Sequence, residues 1–151
     1  MESNDWFTCT VDDWRRTYRF GVNRNRKLFP EAFDEWDLIE VFGTVRHHDG
    51  SGRRGKKLRW PNVEVWISPT TTPREQWRDD PEAVGGVRTE SGKLHVYTQF
   101  PVEVYLSLIP CFSMGHFKEM YLHVRNLYRR SGTLDSISLN PKETPLEDLE
   151  E

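Results

Sequence analysis

The sequence contains little cysteine: Cys9 and Cys111 are the only two among 151 residues. Two are too few for the disulfide framework of a small secreted domain. They are also too few for a zinc site made of cysteine alone. Both of these classes are therefore excluded. Because low cysteine content suits a reducing compartment, we expect a cytoplasmic protein.

Long apolar runs are also missing. No stretch of about 18 apolar residues occurs, so we expect no transmembrane helix and no membrane partner. The first five residues, Met1-Glu2-Ser3-Asn4-Asp5, are polar and acidic, which argues against a signal peptide. The length suits one domain of about 100–150 residues. We predict a single domain over residues 1–141 and an acidic tail over residues 142–151.

Motifs of common catalytic sites are absent too. The sequence has no Gly-rich phosphate loop, no nucleophile elbow and no pair of catalytic carboxylates. Gly85-Gly86 is typical of a turn or bulge, not of a nucleotide site. No cofactor is expected, and an enzyme is the less favoured class.

Charge is present in quantity, and it is unevenly distributed. The net charge is −3, yet residues 15–27 carry six basic side chains and no acid. Residues 46–59 carry six more, with Asp49 as their one acid. The other 124 residues must then sum to −14, part of it in the tail. The overall charge therefore does not exclude an anionic partner.

Alternation of apolar and polar residues indicates β-strands. It predicts a half-buried strand over residues 14–22, with a basic outer face. It also predicts a central strand over 36–46, apolar on both faces. Five more strands are predicted over 58–67, 84–89, 93–100, 102–108 and 134–139. The strands over 84–89 and 93–100 are joined as a hairpin across Glu90-Ser91-Gly92.

Two of these predicted strands match in residue type at every position. Val63-Glu64-Val65-Trp66-Ile67-Ser68 and Val102-Glu103-Val104-Tyr105-Leu106-Ser107 lie 39 residues apart. A duplicated hairpin would explain the match. We favour the simpler interpretation, in which two strands of one sheet have similar neighbours.

One segment, residues 114–130, has helical periodicity. Its apolar side chains fall within an arc of about 120° at 100° per residue, with Leu122 alone on the polar side. Ser113 is a suitable N-cap, and Phe112 and Phe117 are spaced as a hydrophobic staple. Shorter helix starts are predicted at 72–75 and 144–147, where the sequence reads Thr-Pro-x-Glu.

These elements together predict an α+β fold. We expect a largely antiparallel sheet of about seven or eight strands, with one long helix from the C-terminal half packed on one face.

The basic segments form the first candidate site. A Gly- and Arg-rich loop at 47–57, with Trp60 or Trp66 available for stacking, is suited to a phosphate backbone. The alternative is a solvated hairpin tip, charged to prevent edge aggregation. The candidate basic contacts are Arg15, Arg16, Arg19, Arg53, Arg54, Lys56, Lys57 and Arg59. The acidic tail would compete for this surface in cis.

A metal or acid–base site is a weaker hypothesis. On the predicted helix, His116, Glu119 and His123 form one stripe, with His47 or His48 as a further ligand. His116 and His123 would lie about 10.5 Å apart along the axis, too far for one ion. Cys111 before a helix N-terminus, or His95 within a strand, are faint catalytic candidates. We prefer structural roles for all of them.

Aromatic residues are the remaining excess, with six Trp, five Tyr and eight Phe. Most are expected in the core, but Trp, Tyr and Arg also dominate protein–protein hot spots. The leading hypothesis is a small non-catalytic binding protein of inhibitor, immunity or adaptor type, whose partner is another protein or a second copy. The first alternative is a nucleic-acid-binding module that uses residues 15–27 and 46–59. The second is a small metal-dependent or cysteine enzyme.

Overall fold

The computed structural model describes residues 2–25, 27, 32–50, 57–70, 72, 77 and 81–149. Within these residues the chain is mostly β-structure. Its elements in chain order are β1 (Asn4–Thr10), β2 (Asp13–Val22), β3 (Phe33–Gly50), β4 (Asn62–Thr70), β5 (Gly85–Glu90), β6 (Lys93–Pro101), α1 (Val102–Ser113), β7 (Glu119–Tyr128), β8 (Ser131–Asn140) and α2 (Leu146–Leu149).

Seven of the eight described strands form a closed barrel. Neighbours follow the order β1-β7-β8-β5-β6-β4-β3, and β3 pairs again with β1 to close the ring. All of these pairs are antiparallel except β4 with β6, which run parallel. The predicted α+β fold, an open sheet with one long helix, is therefore wrong: in the described part of the chain the sheet closes on itself, and the longer helix has 12 residues.

The predicted helix over residues 114–130 is a strand, β7. Met120, Leu122 and Val124 alternate into the core, all fully buried, while Tyr121 between them is exposed. Hydrogen bonds to β1 on one side and β8 on the other fix this conformation. Ser113 ends α1 instead of capping a helix. Leu122, the one apolar residue outside the predicted helical arc, lies in the core.

The predicted strand over residues 102–108 is instead part of α1. The buried side chains of this helix are Tyr105, Leu108 and Phe112, which follow helical spacing. Pro101 precedes the first turn, where a proline ring is well tolerated, and Pro110 lies inside the last turns. The helix follows β6 directly and packs mainly on β4 and β6.

The other predicted strands are confirmed. They correspond to β2, β3, β4, the β5–β6 hairpin and β8. The short helix predicted near Thr144 is present as α2. The helix predicted over 72–75 lies outside the described residues except for Thr72. Strand β1 was not predicted.

The core fills the barrel and continues under α1. It contains apolar side chains from β1, β3 to β8 and α1, among them Phe7, Val65 and Leu134. One polar pair lies within it: His48 Nε2 is 2.7 Å from Asp5 Oδ1, and both side chains are almost fully buried. The His48 ring stacks on Phe7 with centroids 4.3 Å apart. The barrel interior is therefore a packed core.

Strand β3 continues beyond the barrel. Its 18 residues span roughly 60 Å at about 3.3 Å per residue. Residues 39–44 pair with β4, and most of residues 45–50 pair with β1. Residues 33–38, by contrast, pair with β2 alone among the described strands. We call this two-stranded extension, residues 17–22 and 33–38, the arm.

Candidate interaction surface

One face of the arm carries large apolar side chains that nothing in the described structure covers. Tyr18, Phe20, Val22 and Phe33 are 54–59% exposed. The cross-strand register and the alternation along β3 place them on the same face as Ile39 and Val41, which point into the barrel core. Phe20 and Phe33 stack with ring centroids 5.2 Å apart. This inner face of the arm therefore continues the core pattern into solvent.

This exposure corrects one expectation from the sequence. The even-numbered residues of β2 were predicted to be the half-buried face of the strand. Only Trp14 is half-buried, because Phe112 of α1 stacks on its ring at 5.5 Å. Farther along the strand no element covers the same face within the described residues.

Strand β2 also has an open edge. Among the described strands it bonds only to β3, so its other side presents main-chain N–H and C=O groups without a neighbouring strand. Proteins normally protect such edges, because they pair readily with other chains. An open edge beside an exposed apolar face defines a surface suited to receive another strand.

The arginines of β2 are paired with acids of β3. Arg15 makes two hydrogen bonds to Glu40, at 3.1 and 2.8 Å. Arg16 makes two to Asp37, at 2.9 and 2.6 Å. Arg19 Nε lies 3.1 Å from Asp34 Oδ2. The arginines predicted as anion contacts at 15, 16 and 19 therefore sit in internal ion pairs, and their charges largely cancel.

Asp37 fixes the base of the arm to α1. Besides its two bonds from Arg16, its Oδ1 accepts a 2.5 Å hydrogen bond from the Tyr105 hydroxyl. The hydrogen bonds from Arg16 are the main reason that the pKa of Asp37 is lowered. Burial raises the pKa of Tyr105, and the hydrogen bond to Asp37 raises it further. The arm is thus anchored at its base and uncovered at its tip.

The described part of the second basic segment lies beside the part of β3 that belongs to the barrel, outside the arm. The Val45 N–H donates a 2.8 Å hydrogen bond to the Pro61 carbonyl oxygen, so residue 61 lies five residues along β3 from Glu40, the partner of Arg15, or about 17 Å. Arg53, Arg54 and Lys56 lie outside the described residues. Lys57 and Arg59 are exposed. Residues 15–19 and residues 57–59 therefore lie beside different stretches of β3.

The two candidate stacking residues have different environments. Trp60 is buried, 8% exposed, and the Arg59 guanidinium lies over its ring at 4.8 Å. Trp66 is half-buried on the outer wall of the barrel, where its Nε1 donates a 2.8 Å hydrogen bond to Glu64. Tyr97 packs edge-on against it. The two tryptophans do not form one stacking surface.

The candidate metal ligands are not brought together. Glu119 and His123 lie on β7, about 13 Å apart at strand spacing, and His116 precedes that strand. His123 Nε2 lies 2.9 Å from Asn4 Oδ1, and its ring stacks on Trp6 at 4.9 Å. Among the described residues no group of three or more His, Cys, Asp or Glu side chains is arranged to hold a metal ion.

Glu119 instead anchors the C-terminal segment. Its buried carboxylate accepts hydrogen bonds from the Thr144 backbone N–H at 2.8 Å and from the Thr144 hydroxyl at 3.1 Å. Arg46 donates to the Thr144 carbonyl oxygen at 2.9 Å. The beginning of the acidic tail is thereby held against the outside of β3 and β7.

The faint catalytic candidates occupy structural positions. Cys111 is in the last turn of α1, at the opposite end from the one that stabilises a thiolate. Cys9 is fully buried, which raises the pKa of its thiol. His95 Nε2 lies 3.3 Å from Glu90 Oε2, and Nδ1 lies 3.8 Å from Glu64 Oε2.

The arm is the surface that sequence reasoning missed, although a signal was present. The order Arg15, Arg16, Arg19 is mirrored by Glu40, Asp37 and Asp34 farther along the chain. Opposite charges in mirrored order are what a hairpin needs for cross-strand pairs. That complementarity indicates the β2–β3 pairing, and with it the internal use of these arginines.

Comparison with protein-family models, with curated proteins and with solved structures finds no match to this chain. Among the described residues, neither helix has the length and apolar character needed to cross a membrane.

Proposed function

We propose that this chain is a non-catalytic cytosolic binding protein that contacts another protein through the arm. One observation carries the proposal: an open strand edge lies beside four large apolar side chains that are more than half exposed. Exposed apolar patches of this kind mark interaction sites. The cytosolic location is supported by the two cysteines, which are both free thiols.

The arm favours recognition by strand addition. A partner strand bonded to the edge of β2 would satisfy its main-chain groups and extend the sheet. Side chains on the same face of that partner strand would then pack beside Tyr18, Phe20 and Val22, and Phe33 would support this contact through its stack on Phe20. Burying each of these half-exposed side chains contributes roughly 1 kcal/mol, about half of the value for full burial.

Charge on the arm favours a second copy of the chain as the partner. Arg19 within the arm and Arg15 and Arg16 at its base are matched by Asp34, Glu40 and Asp37. This leaves Glu35 as the one unmatched acid of the pairs described, bonded by the Tyr18 hydroxyl at 3.3 Å, so repulsion between two arms would be small. An antiparallel pair of β2 strands about a twofold axis would satisfy both edges with identical surfaces. Because the interface would be apolar, we expect its affinity to change little between 50 and 200 mM salt.

Sedimentation velocity at 1–100 µM tests this proposal. We expect a concentration-dependent dimer, and we expect Phe20→Ser with Phe33→Ser to weaken it at least 100-fold, because a symmetric dimer contains each site twice. Trp36→Ser is the matched control: Trp36 is 44% exposed on the opposite face of the same arm and should keep the dimer. A wild-type chain that stays monomeric throughout would reject self-association.

The nucleic-acid alternative has less support in the form expected from the sequence. It requires residues 15–27 and 46–59 to act together, whereas Arg15, Arg16 and Arg19 are each held by an acid of β3. The enzyme alternative lacks a set of candidate residues that lie close together among the described residues.

A further inference from the structure

Arginines gather at the end of the barrel where β6 begins, away from α1. A cavity of about 490 Å³ lies there, lined by the β5–β6 turn, Trp60, Arg59 and Arg130. Arg129 is the neighbour of Arg130 in the turn between β7 and β8. Among the described lining residues, Glu90 is the one acid, and its carboxylate lies 3.3 Å from His95 Nε2. We call Arg59, Arg129 and Arg130 the arginine cluster.

Two of these arginines occupy a backbone conformation that disfavours them. Arg129 and Arg130 have φ values of 50° and 71°, and they connect the paired residues Tyr128 and Ser131. Positive φ at both central residues is the type I′ hairpin turn, which strongly prefers Asn-Gly. Two arginines at such a turn cost folding free energy. Unfavourable backbone of this kind concentrates where a side chain serves function.

Aromatic rings hold two members of the cluster in place. The guanidinium carbon of Arg59 lies 4.8 Å above the Trp60 ring, and that of Arg129 lies 5.3 Å above the Tyr128 ring. Stacking of this kind leaves the N–H edges of a guanidinium available to an anion. Tyr128 is also 70% exposed, so its ring has surface left for a second stacking partner.

We propose that the arginine cluster binds the phosphodiester backbone of single-stranded nucleic acid, with a base stacked on Tyr128. Guanidinium groups contact phosphates, and an exposed aromatic ring accepts a base without regard to sequence. The site is formed by two tight turns around a small cavity, a shape that suits a flexible single strand of nucleic acid. Duplex recognition instead uses a helix or a β-ribbon that enters a groove. This activity goes beyond the proposed function, since the arm takes no part in it.

Fluorescence anisotropy with a labelled 12-nucleotide oligothymidine tests the site. Three phosphate contacts predict a slope of about −2 for log K against log salt, a loss of about 20-fold between 50 and 200 mM. Arg59→Gln with Arg130→Gln should weaken binding at least tenfold at 50 mM salt and reduce the salt effect to about threefold. Arg24→Gln with Lys118→Gln changes the net charge equally at exposed positions elsewhere and should leave binding unchanged.

Two further measurements separate the parts of the proposal. Tyr128→Ala should weaken oligothymidine binding about tenfold and inorganic polyphosphate binding by much less, because the base loses its stacking ring whereas polyphosphate loses only the support of Arg129. Arg129→Asn with Arg130→Gly installs the preferred turn and should raise Tm by about 3 °C while weakening oligothymidine at least tenfold.

Each contrary result overturns the inference. No binding at 50 mM salt would remove the site. An equal loss of binding in the Arg24/Lys118 control would remove it too. If polyphosphate binds as tightly as oligothymidine and Tyr128→Ala has no effect, the arginine cluster is a general polyanion surface. That result would overturn the nucleic-acid assignment. Because the Asn-Gly variant is expected to fold better than the wild type, its loss of binding would not reflect misfolding.

Discussion

At the scale of single residues, Asp37 shows how local charge is used in this fold. Its carboxylate accepts two hydrogen bonds from Arg16 on β2 and one from Tyr105 on α1. The sequence indicated Arg16 as a contact for an external anion, because the segment around it holds no acid. The compensating acid comes from the next strand, 21 residues away, and no property of residues 15–27 alone could show that.

Asp37→Asn should destabilise the protein in a pH-dependent way. At pH 7 we expect a loss of about 2 kcal/mol in the free energy of unfolding, because hydrogen bonds to a charged group are weakened. The pKa of Asp37 is lowered in the folded state, so its contribution is complete above the unfolded value near 4, declines below that value and is lost as pH falls through the lower folded pKa. Urea unfolding at pH 7 and pH 3 measures both.

Asp34→Asn is the control for that experiment. Asp34 pairs with Arg19 on the same arm, but both side chains are about half exposed, so its removal should change stability by less than about 0.5 kcal/mol. Equal losses in the two variants, or a loss at Asp37 that persists undiminished at pH 3, would contradict the network described here.

At the scale of elements, two nearly identical hexapeptides take different structures. Val63–Ser68 lies in strand β4, whereas Val102–Ser107 begins helix α1. In β4 the alternate residues Val63, Val65 and Ile67 are buried. In α1 the fully buried residue of the hexapeptide is Tyr105, whose counterpart Trp66 in β4 lies on the outer wall of the barrel. Neighbouring strands on both sides of β4 impose the extended form, while Val102 lies past the end of the β4–β6 ladder. Tertiary context therefore overrides local preference.

Tertiary context also determines the structure of β7. Its apolar residues satisfy two periodicities at once: Met120 and Val124 fit both a helix and a strand. Tyr121 and Leu122 distinguish them, because a helix would bury the first and a strand buries the second. Alternation alone predicts six of the strands. For residues 119–128 it does not distinguish a strand from a helix, and the hydrogen-bonded neighbours β1 and β8 determine that a strand forms.

Substitution at these two neighbours tests which element forms in solution. Leu122→Ala should cost about 3 kcal/mol, because Leu122 is fully buried and the change leaves a cavity. Tyr121→Ala should cost less than about 1 kcal/mol, because Tyr121 is 38% exposed on the outside of the barrel. Denaturant unfolding gives both values. The reverse order would mean that residues 119–128 form the helix that the sequence suggested.

At the scale of the whole molecule, closure of the barrel was beyond sequence patterns. It depends on β1, whose buried side chains Asp5, Phe7 and Cys9 alternate without forming an apolar series. Asp5 is polar because its partner His48 lies inside the barrel. The parallel pairing of β4 with β6 is equally invisible, since 22 residues that include strand β5 separate the two strands in sequence. Both are long-range pairings, and hydropathy along the chain does not encode them.

The point of closure lies where β3 changes partner, and Gly43 marks it. On its N-terminal side β3 pairs with β2 through Phe42, and on its C-terminal side with β1 from Val45 onward. A Cβ at Gly43 would overlap the backbone carbonyl oxygen of Thr10, the last residue of β1. Hydrogen bonds fix this crossing, since the Thr44 N–H donates to the Thr10 hydroxyl at 3.0 Å. The two strands cannot separate there without opening the ring.

Gly43→Ala should therefore destabilise the barrel, by about 3 kcal/mol, because the added methyl group meets backbone that cannot move aside. Gly21→Ala is the matched control. Gly21 lies in the arm, where the nearest atom to an added Cβ would be Arg19 Nη2 at 3.9 Å, so stability should stay within about 0.5 kcal/mol. Urea unfolding compares the two variants. Equal stability would show that β1 and β3 are not in contact at Gly43 and that the ring is open at this point.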